Sequence, residues 1–500
     1  MESINIDFSR KEAILKRIPQ ASRTQVCTLF TTVISNVTAK NDLESWKIFF
    51  SFARDILGNP DKGGEKSKSL ASIINKRVAL FDTTSQNDTT KPGKNKKPPY
   101  LKKQVTENLN QIDVKGAIHI TSSNFKILPP TQEVFEKLIN KHPSRHPNST
   151  LPDPPGNMSS IEIGRDDVKK AIKSFKNGSA GGPDGILPQH IKDLTCENIG
   201  QPALNLLDIL VNFINNIILP GKVPEFVQPV FYGANLMALS KPDNGVRPIA
   251  IGFTIRRLSG KIIMNKLQGT CKTIFQPHQL GVGKGRLEKG EIGIHAIRQY
   301  VNSEFLKKEV ILKVDFTNSF NCLRRDEVLR KVKEHSPTIY PYVWQSYSQE
   351  TNLYFGDFVV KSKEGVQQGD PLGPFLFSLG IIDLISQCKS HFNMWYLDDG
   401  ALGGTAEDVL SDYKIIVNSN ESLGLSVNPS KSEIIIINQD AHTIQEITDR
   451  FSAITPRIKR TIYNEDLTLS GSPIPINIEK KTSWLSMQLI PPHFMQQSRN

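Results

Sequence analysis

The 500-residue chain has no run of 18 apolar residues, and behind Met1 the stretch ESINIDFSRKEAILKRIPQ lacks an apolar core. It therefore offers neither a transmembrane helix nor a secretory signal, and it reads as soluble and intracellular. Cysteine is scarce as well. The five (Cys27, Cys196, Cys271, Cys322, Cys388) are scattered without a C-x-x-C pair, which argues against a disulfide framework or zinc ribbon and fits a reducing compartment. Hydrophobic residues make up 38%, somewhat low for a globular chain and consistent with long polar stretches diluting packed ones. Acid is the charge in deficit, with 50 Asp and Glu against 62 Lys and Arg and a formal net charge of +12. That balance suits a polyanionic partner, and equally a merely soluble basic protein, because net charge informs partners and not fold. No internal repeat is visible, and the length implies roughly two to four domains.

Residues 1–85 read as a small helical N-terminal region, with periodic apolar positions in LESWKIFFSFARDIL and SLASIINKRVALF. Residues 86–160 read as a basic, proline-rich linker. Within it TTKPGKNKKPPYLKK (89–103) holds six lysines and no acid, and seven prolines fall between 121 and 160. The lysine tract reads either as a solvated linker or as a nucleic-acid-contacting or nuclear-import segment. The prolines place a flexible boundary there. After residue 160 helix and strand signals alternate without long breaks, as in an α+β or α/β body.

In that body, NMWYLDDGALGG (393–404) puts two adjacent carboxylates, Asp398 and Asp399, between an apolar aromatic run and a glycine-ended one. One reading is a hairpin turn, since Asp and Gly tolerate positive φ. Asp166 and Asp167, the chain's comparable pair in GRDDVKKAIKSFKNG, look like a helix start, with acids in the first turn and lysines later. An Asp-Asp pair thus needs a third partner before it implies chemistry. EVILKVDFTNSFNCLRRDEVLRKVKEH (309–335) supplies a candidate: a β-branched run ends at Asp315, and a helix follows. If strand 310–316 lies against the 393–403 hairpin, three carboxylates converge. Like charges about 4 Å apart repel by roughly 1 kcal/mol in water and about 4 kcal/mol at an effective dielectric near 20. Such a cluster persists if protonated or if it binds hard cations, and oxygen ligands that leave room for phosphate and water suit Mg²⁺. Two such ions about 3.5–4 Å apart serve in-line displacement at a phosphoryl group.

Three further stretches bear on the choice. EGVQQGDPLGPFLFSLGIIDLI (364–385) is a Gly/Pro-rich loop opening an apolar helix, with Gln367 and Gln368 as amide donors and acceptors and Gly365, Gly369 and Gly373 permitting close backbone approach. LSKPDNGVRPIAIGFTIRRLSGKI (239–262) reads as a turn flanked by Lys241 and Arg247. A point charge and a fork suit a triphosphate, and isolated surface charges are the alternative. LGLSVNPSKSEIIII (423–437) places Lys431 in a turn before a strand.

Taken together, NGSAGGPDGILPQHIKDL (177–194), VRPIAIGFTIRRL (246–258), VDFTNSFN (314–321), GVQQGDPLGP (365–374), YLDDG (396–400) and LGLSVNPSK (423–431) resemble the ordered blocks of a reverse transcriptase from a non-LTR (LINE-like) retrotransposon, over about residues 160–475. The resemblance implies an α+β right-hand polymerase. Fingers-rich sequence would span 161–305, the palm 306–450, and a primer grip with a truncated thumb 451–500, where LTLSGSPI (467–474) begins the grip. It implies that Asp315, Asp398 and Asp399 bind two Mg²⁺ ions, with Mn²⁺ a substitute. Phe320 falls at the steric gate that rejects a ribose 2′-hydroxyl, and Gln368 and Gly369 line the nucleotide and template. Lys241 and Arg247 hold the triphosphate, and Lys431 protonates departing pyrophosphate. The implied partners are an RNA template, a DNA primer or target and dNTPs, with no membrane. The implied setting is a cytoplasmic ribonucleoprotein and the nucleus.

Some features depart from the family. Leu397 stands where alanine is more usual in non-LTR elements, and GVGKGRLEKGEIGIHAIR (281–298) is only loosely like the glycine-rich fingers segment. Neither a Cys/His zinc knuckle nor a recognisable endonuclease is visible. An RNA-templated RNA polymerase would usually carry Gly-Asp-Asp and a polar gate residue, so Leu397 and Phe320 argue against it. A group II intron or telomerase-type enzyme fits blocks 177–194 and 246–258 less well. The non-enzymatic alternative is a decayed or domesticated copy that only binds RNA.

Overall fold

The computed structural model describes residues 8, 13–60, 69–83, 126–283 except 242, 293, 295–301, 303 and 308–462 except 438, with the backbone alone at 466–469 and 472–475. The lysine tract at 89–103 and most of the region expected to be thumb lie outside the described residues, as does much of the 281–298 segment.

Eleven strands occur among the described residues: β1 (Ala234–Ser240), β2 (Val246–Gly252), β3 (Val310–Val314), β4 (Thr351–Phe355), β5 (Phe358–Ser362), β6 (Phe392–Tyr396), β7 (Asp399–Gly404), β8 (Glu433–Ile436), β9 (Lys459–Ile462), β10 (Asp466–Leu469) and β11 (Ser472–Pro475). They form a four-stranded sheet β2-β1-β4-β5, a five-stranded sheet β6-β7-β3-β8-β9 and the hairpin β10-β11. The five-stranded sheet explains the largely apolar run of β3. Val310, Leu312 and Val314 face the main core with Leu402, Ile434 and Ile436. Ile311 faces a second cluster with Phe392, Met394, Ala401 and Ile435. Successive side chains point to opposite faces and both faces are covered; Lys313, the polar residue of the strand, pairs with Glu433 on β8 at 3.2 Å.

The N-terminal region holds the helices Arg23–Lys40, Leu43–Leu57 and Leu70–Leu80. It does not stand apart from the body. Trp46 packs on Phe213 at 5.8 Å and Phe231 at 5.4 Å between ring centroids, and Phe50 on Phe253 at 5.2 Å. One apolar core runs from these rings to the five-stranded sheet. Asp193 fixes the approach polar-side: it accepts from the Ile18 amide at 3.0 Å and pairs with Arg23 at 3.0 Å.

Two boundary expectations need correction. Residues 126–160 are not a free linker. The Leu128 amide bonds to Ala238 O and the Ser240 amide to Lys126 O, each at 2.8 Å, alongside β1. Gln132–Ile139 is a helix capped by Thr131, and farther on the His146 and Thr150 amides bond to Glu364 and Asp326, each at 3.1 Å. Proline favours extended backbone, but extended backbone can dock as well as dangle. The division at 306 also fails, because hairpin β4-β5 joins β1 and β2 in the four-stranded sheet. Asp166 and Asp167 do open a helix, Arg165–Lys173, where Asp167 accepts from the Gly164 amide at 3.0 Å and pairs with Lys266 at 2.8 Å.

Candidate active site

β3 and β7 pair antiparallel with Val314 opposite Gly400, and β6 pairs with β7 with Tyr396 opposite Asp399. The register puts Asp315, the next residue after Val314, beside Asp399, the residue before Gly400. Asp398 sits in the two-residue turn between β6 and β7. Residues 423–431 close the other side. The Asn428 amide bonds to Asp315 O at 2.8 Å, and the Thr317 amide to Ser426 O at 2.9 Å.

Side chains then sort the charges. Asn428 Nδ2 donates to Asp315 Oδ1 at 3.1 Å, while Lys431 Nζ lies 3.8 Å from Asp315 Oδ2. Ser319 Oγ donates to Asp398 Oδ2. Burial lifts the Asp315 carboxyl above its ordinary value; Lys431 opposes this and Asp398 adds to it. Asp399 reaches solvent, yet burial, then the charges of Asp398 and Asp315, push it up to about 6. Burial leads in both, with neighbouring acid charge behind it, and both disfavour the charged carboxylate. Among the described residues no three acid, imidazole or thiol groups are already closed around a cation position. The carboxylates are drawn instead to Asn428, Lys431 and Ser319. The donor set is oxygen only, which fits a hard divalent ion and not zinc or copper.

The turn differs from the expectation. Neither Asp398 nor Asp399 carries the positive φ; Leu397 does, at 58°. Gly400 lies within β7, and its role is space, because a Cβ there would come 2.6 Å from the Trp395 ring.

The remaining candidates lie on the short helix after β3, the 365–373 loop and the β1-β2 hairpin. Phe320 lies on the short helix Ser319–Cys322, its ring stacked on Phe377 at 4.5 Å. Its carbonyl accepts from the Val366 amide at 2.7 Å, which ties it to the 365–373 loop. That loop reaches β2, where the Ala250 amide bonds to Gln368 O at 2.7 Å. Gly369 has φ +117°, and a Cβ on it would lie 2.3 Å from Ala250 O, so glycine is required there. Lys241 begins the β1-β2 turn, and Arg247 sits opposite Leu239. Burial lowers the Lys241 ammonium, followed by the positive charges of Lys431, Lys141 and Arg247. Four cations therefore share the neighbourhood of Lys241, and two of them, Lys431 and Lys241, act on Asp315.

Sequence reading missed several of these neighbours. Lys141 lies in the stretch read as linker, and its carbonyl accepts from Asn318 Nδ2 at 2.8 Å. Arg256, 2% exposed, pairs with buried Asp370 at 2.8 Å and donates to Gln367 Oε1 at 2.8 Å. Tyr347 donates to the same Asp370 carboxylate at 2.7 Å. So of the two glutamines, Gln367 turns inward to this network, while Gln368 is half-buried and meets β2 through its carbonyl. Only the spacing of the 246–258 block hinted at Arg256.

An acid at one strand end and two more on the adjoining hairpin form a carboxylate cluster of the kind that serves nucleotidyl transfer in a palm-and-fingers polymerase. Half of the chain, residues 239–488, matches the family described as reverse transcriptase (RNA-dependent DNA polymerase), and the chain belongs to that family. It is similar to the retrotransposable element SLACS 132 kDa protein of Trypanosoma brucei gambiense, 26% identical over 58% of this chain and 24% of that protein. It is similar also to the retrovirus-related Pol polyprotein from type-1 retrotransposable element R2 of Popillia japonica, 23% identical over 66% of this chain and 50% of that one. A third relative is the probable RNA-directed DNA polymerase from transposon BS of Drosophila melanogaster, 24% identical over 49% of this chain and 27% of the relative. The chain thus spans between a quarter and a half of the relatives it matches. No helix among the described residues is long and apolar enough to cross a membrane.

Proposed function

We propose that this chain copies RNA into DNA as the polymerase of a non-LTR retrotransposon, extending a DNA primer 3′-hydroxyl with dNTPs. The observation that carries the reading is the register of β3 on β7, which brings Asp315 beside Asp399 and the Asp398 turn. In this reading Asp315, Asp398 and Asp399 hold two Mg²⁺ ions, with Mn²⁺ as substitute. Bound divalent ions would supply acidification of the primer hydroxyl and charge neutralisation at the leaving pyrophosphate.

The chain's own residues do the rest. Lys241 and Arg247 orient the triphosphate, Arg as a planar fork and Lys as a point charge. Lys431, already beside Asp315, holds a proton at Nζ for the departing pyrophosphate. Gln368 and Gly369 line the nucleotide and template, where glycine lets backbone approach closely. Phe320, braced by Phe377, fills the space a ribose 2′-hydroxyl would need. The RNA lies in the cationic cleft and binds more weakly as salt rises. The proposed setting is a cytoplasmic ribonucleoprotein and the nucleus, and the β10-β11 hairpin begins the primer grip.

The test is extension of a DNA primer on an RNA template with dNTPs and Mg²⁺. Template-dependent product is expected; RNA retention without extension would leave only a binding protein. Phe320→Ala should narrow the preference for dCTP over CTP by about 100-fold, the order that steric rejection of one hydroxyl supplies. The measurement is the ratio of the two kcat/KM values. Unchanged discrimination would remove Phe320 from the gate.

A further inference from the structure

The β6-β7 turn is built in an unexpected way. A two-residue hairpin with positive φ at its first central residue ordinarily has glycine there, and here the residue is Leu397, φ 58°. A strained residue persists only when its surroundings over-determine it. Those surroundings are the segment His278–Gly281, which lies outside the catalytic blocks.

Gln279 is 2% exposed and spends its whole amide on this turn. Its Oε1 accepts from the Leu397 amide at 2.7 Å, and its Nε2 donates to Leu397 O at 3.0 Å. The same Oε1 accepts from the Gly281 amide at 2.9 Å, which holds the amide plane in place. The backbone on either side runs as a rail along β6: the Trp395 amide bonds to His278 O at 2.7 Å and the Leu280 amide to Trp395 O at 2.8 Å. Gly281 completes the fit. A Cβ there would come 2.6 Å from Leu397 Cγ and 2.7 Å from Leu397 N. Both peptide groups flanking Leu397 are therefore pinned, and the second of them leads directly into Asp398.

We propose that Gln279 is a positioning residue that clamps the Leu397 peptide groups and thereby sets the place of Asp398 and Asp399 for divalent-cation binding. This rests on the polymerase reading for its consequence in turnover, but not for the clamp itself. Groups that orient metal ligands without touching the metal commonly change affinity or activity by about 10–100-fold when removed.

The test uses the full chain and two readouts, primer extension and the Mn²⁺ concentration that gives half the cation-induced rise in Tm. Gln279→Ala should raise that Mn²⁺ midpoint about tenfold and lower kcat about 10–100-fold, with the dNTP KM and RNA affinity unchanged within about twofold. Glycine takes the turn conformation freely, so Gln279→Ala/Leu397→Gly should recover most of the lost cation affinity. A purely structural role for Gln279 would lower Tm without moving the Mn²⁺ midpoint, and would gain nothing from Leu397→Gly. An unmoved midpoint, or a double variant no better than the single, overturns the clamp. If the wild type binds Mn²⁺ but extends no primer while Gln279→Ala still weakens Mn²⁺, the clamp stands and the polymerase reading falls.

Discussion

Asp315→Asn should reduce primer extension on RNA about a thousandfold or more, leave RNA affinity within about twofold, and raise the Tm of the metal-free protein. A thousandfold corresponds to about 4 kcal/mol of transition-state stabilisation, the upper end of what one well-placed electrostatic group supplies. Asparagine keeps the shape. The backbone bonds from the Asn428 amide to residue 315 and from the 315 amide to Ser432 Oγ do not depend on the carboxylate. What changes is the charge. Lys431 loses an ion-pair partner, but its side chain is 53% exposed, so that loss is small. Against it stands relief of the repulsion from Asp398 and Asp399, roughly 1 kcal/mol where solvent screens, or about 1 °C in a chain of this size.

The pH dependence has a definite sign. Asp399 is raised to about 6 in the fold, against about 3.9 in an unfolded chain. Over that interval the folded state binds more protons than the unfolded one, so metal-free stability falls as pH rises from about 4 to about 6. Asp399→Asn should make this fall shallower, as thermal melts across pH 4–7 in a chelator would show; Asp315 and buried Asp184, both also raised, keep the remainder. Equal extension by Asp315→Asn and wild type would take Asp315 out of the mechanism. A drop in Tm would show that the three acids do not strain the fold.

The acids were legible because each sits where local pattern changes, at the end of an apolar run or between two such runs, and strand ends are readable from one segment at a time. The partners were not. Nothing near Gln279 in sequence says that its amide will meet a turn 118 residues on, and nothing near Lys141 says that it will stand beside Lys241. The turn itself was misread for a local reason. Asp-Asp-Gly matches a hairpin preference, whereas the register places Asp399 and Gly400 in the strand and moves the positive φ back to Leu397. The stretch at 126–160 was misread for another. Proline density signals that helix is disfavoured, and whether such backbone docks depends on distant acceptors such as Ala238 O, Glu364 and Asp326.

Arg256→Met should cost about 3–5 kcal/mol of stability, the range for breaking one side of a buried ion pair. Burial works against the guanidinium charge, but Asp370, then Tyr347 and the neighbouring tyrosines, outweigh it and raise the pKa. Methionine fills much of the volume and none of the hydrogen bonding. It would leave the Asp370 carboxylate with Tyr347 and its own turn as partners, and Gln367 Oε1 without its donor. Gln367 also donates to Tyr232 O at 3.0 Å and Thr351 Oγ1 at 3.2 Å, so the network spans the four-stranded sheet and the loop that carries Gln368. The variant should therefore raise the dNTP KM as well as lower the denaturation midpoint. Arg256→Met/Asp370→Leu removes both charges together, and should regain a large part of the stability because no unpaired carboxylate remains buried. Urea denaturation of the wild type, both single variants and the double variant measures the coupling. Additive losses would mean that Arg256 and Asp370 stabilise the protein independently.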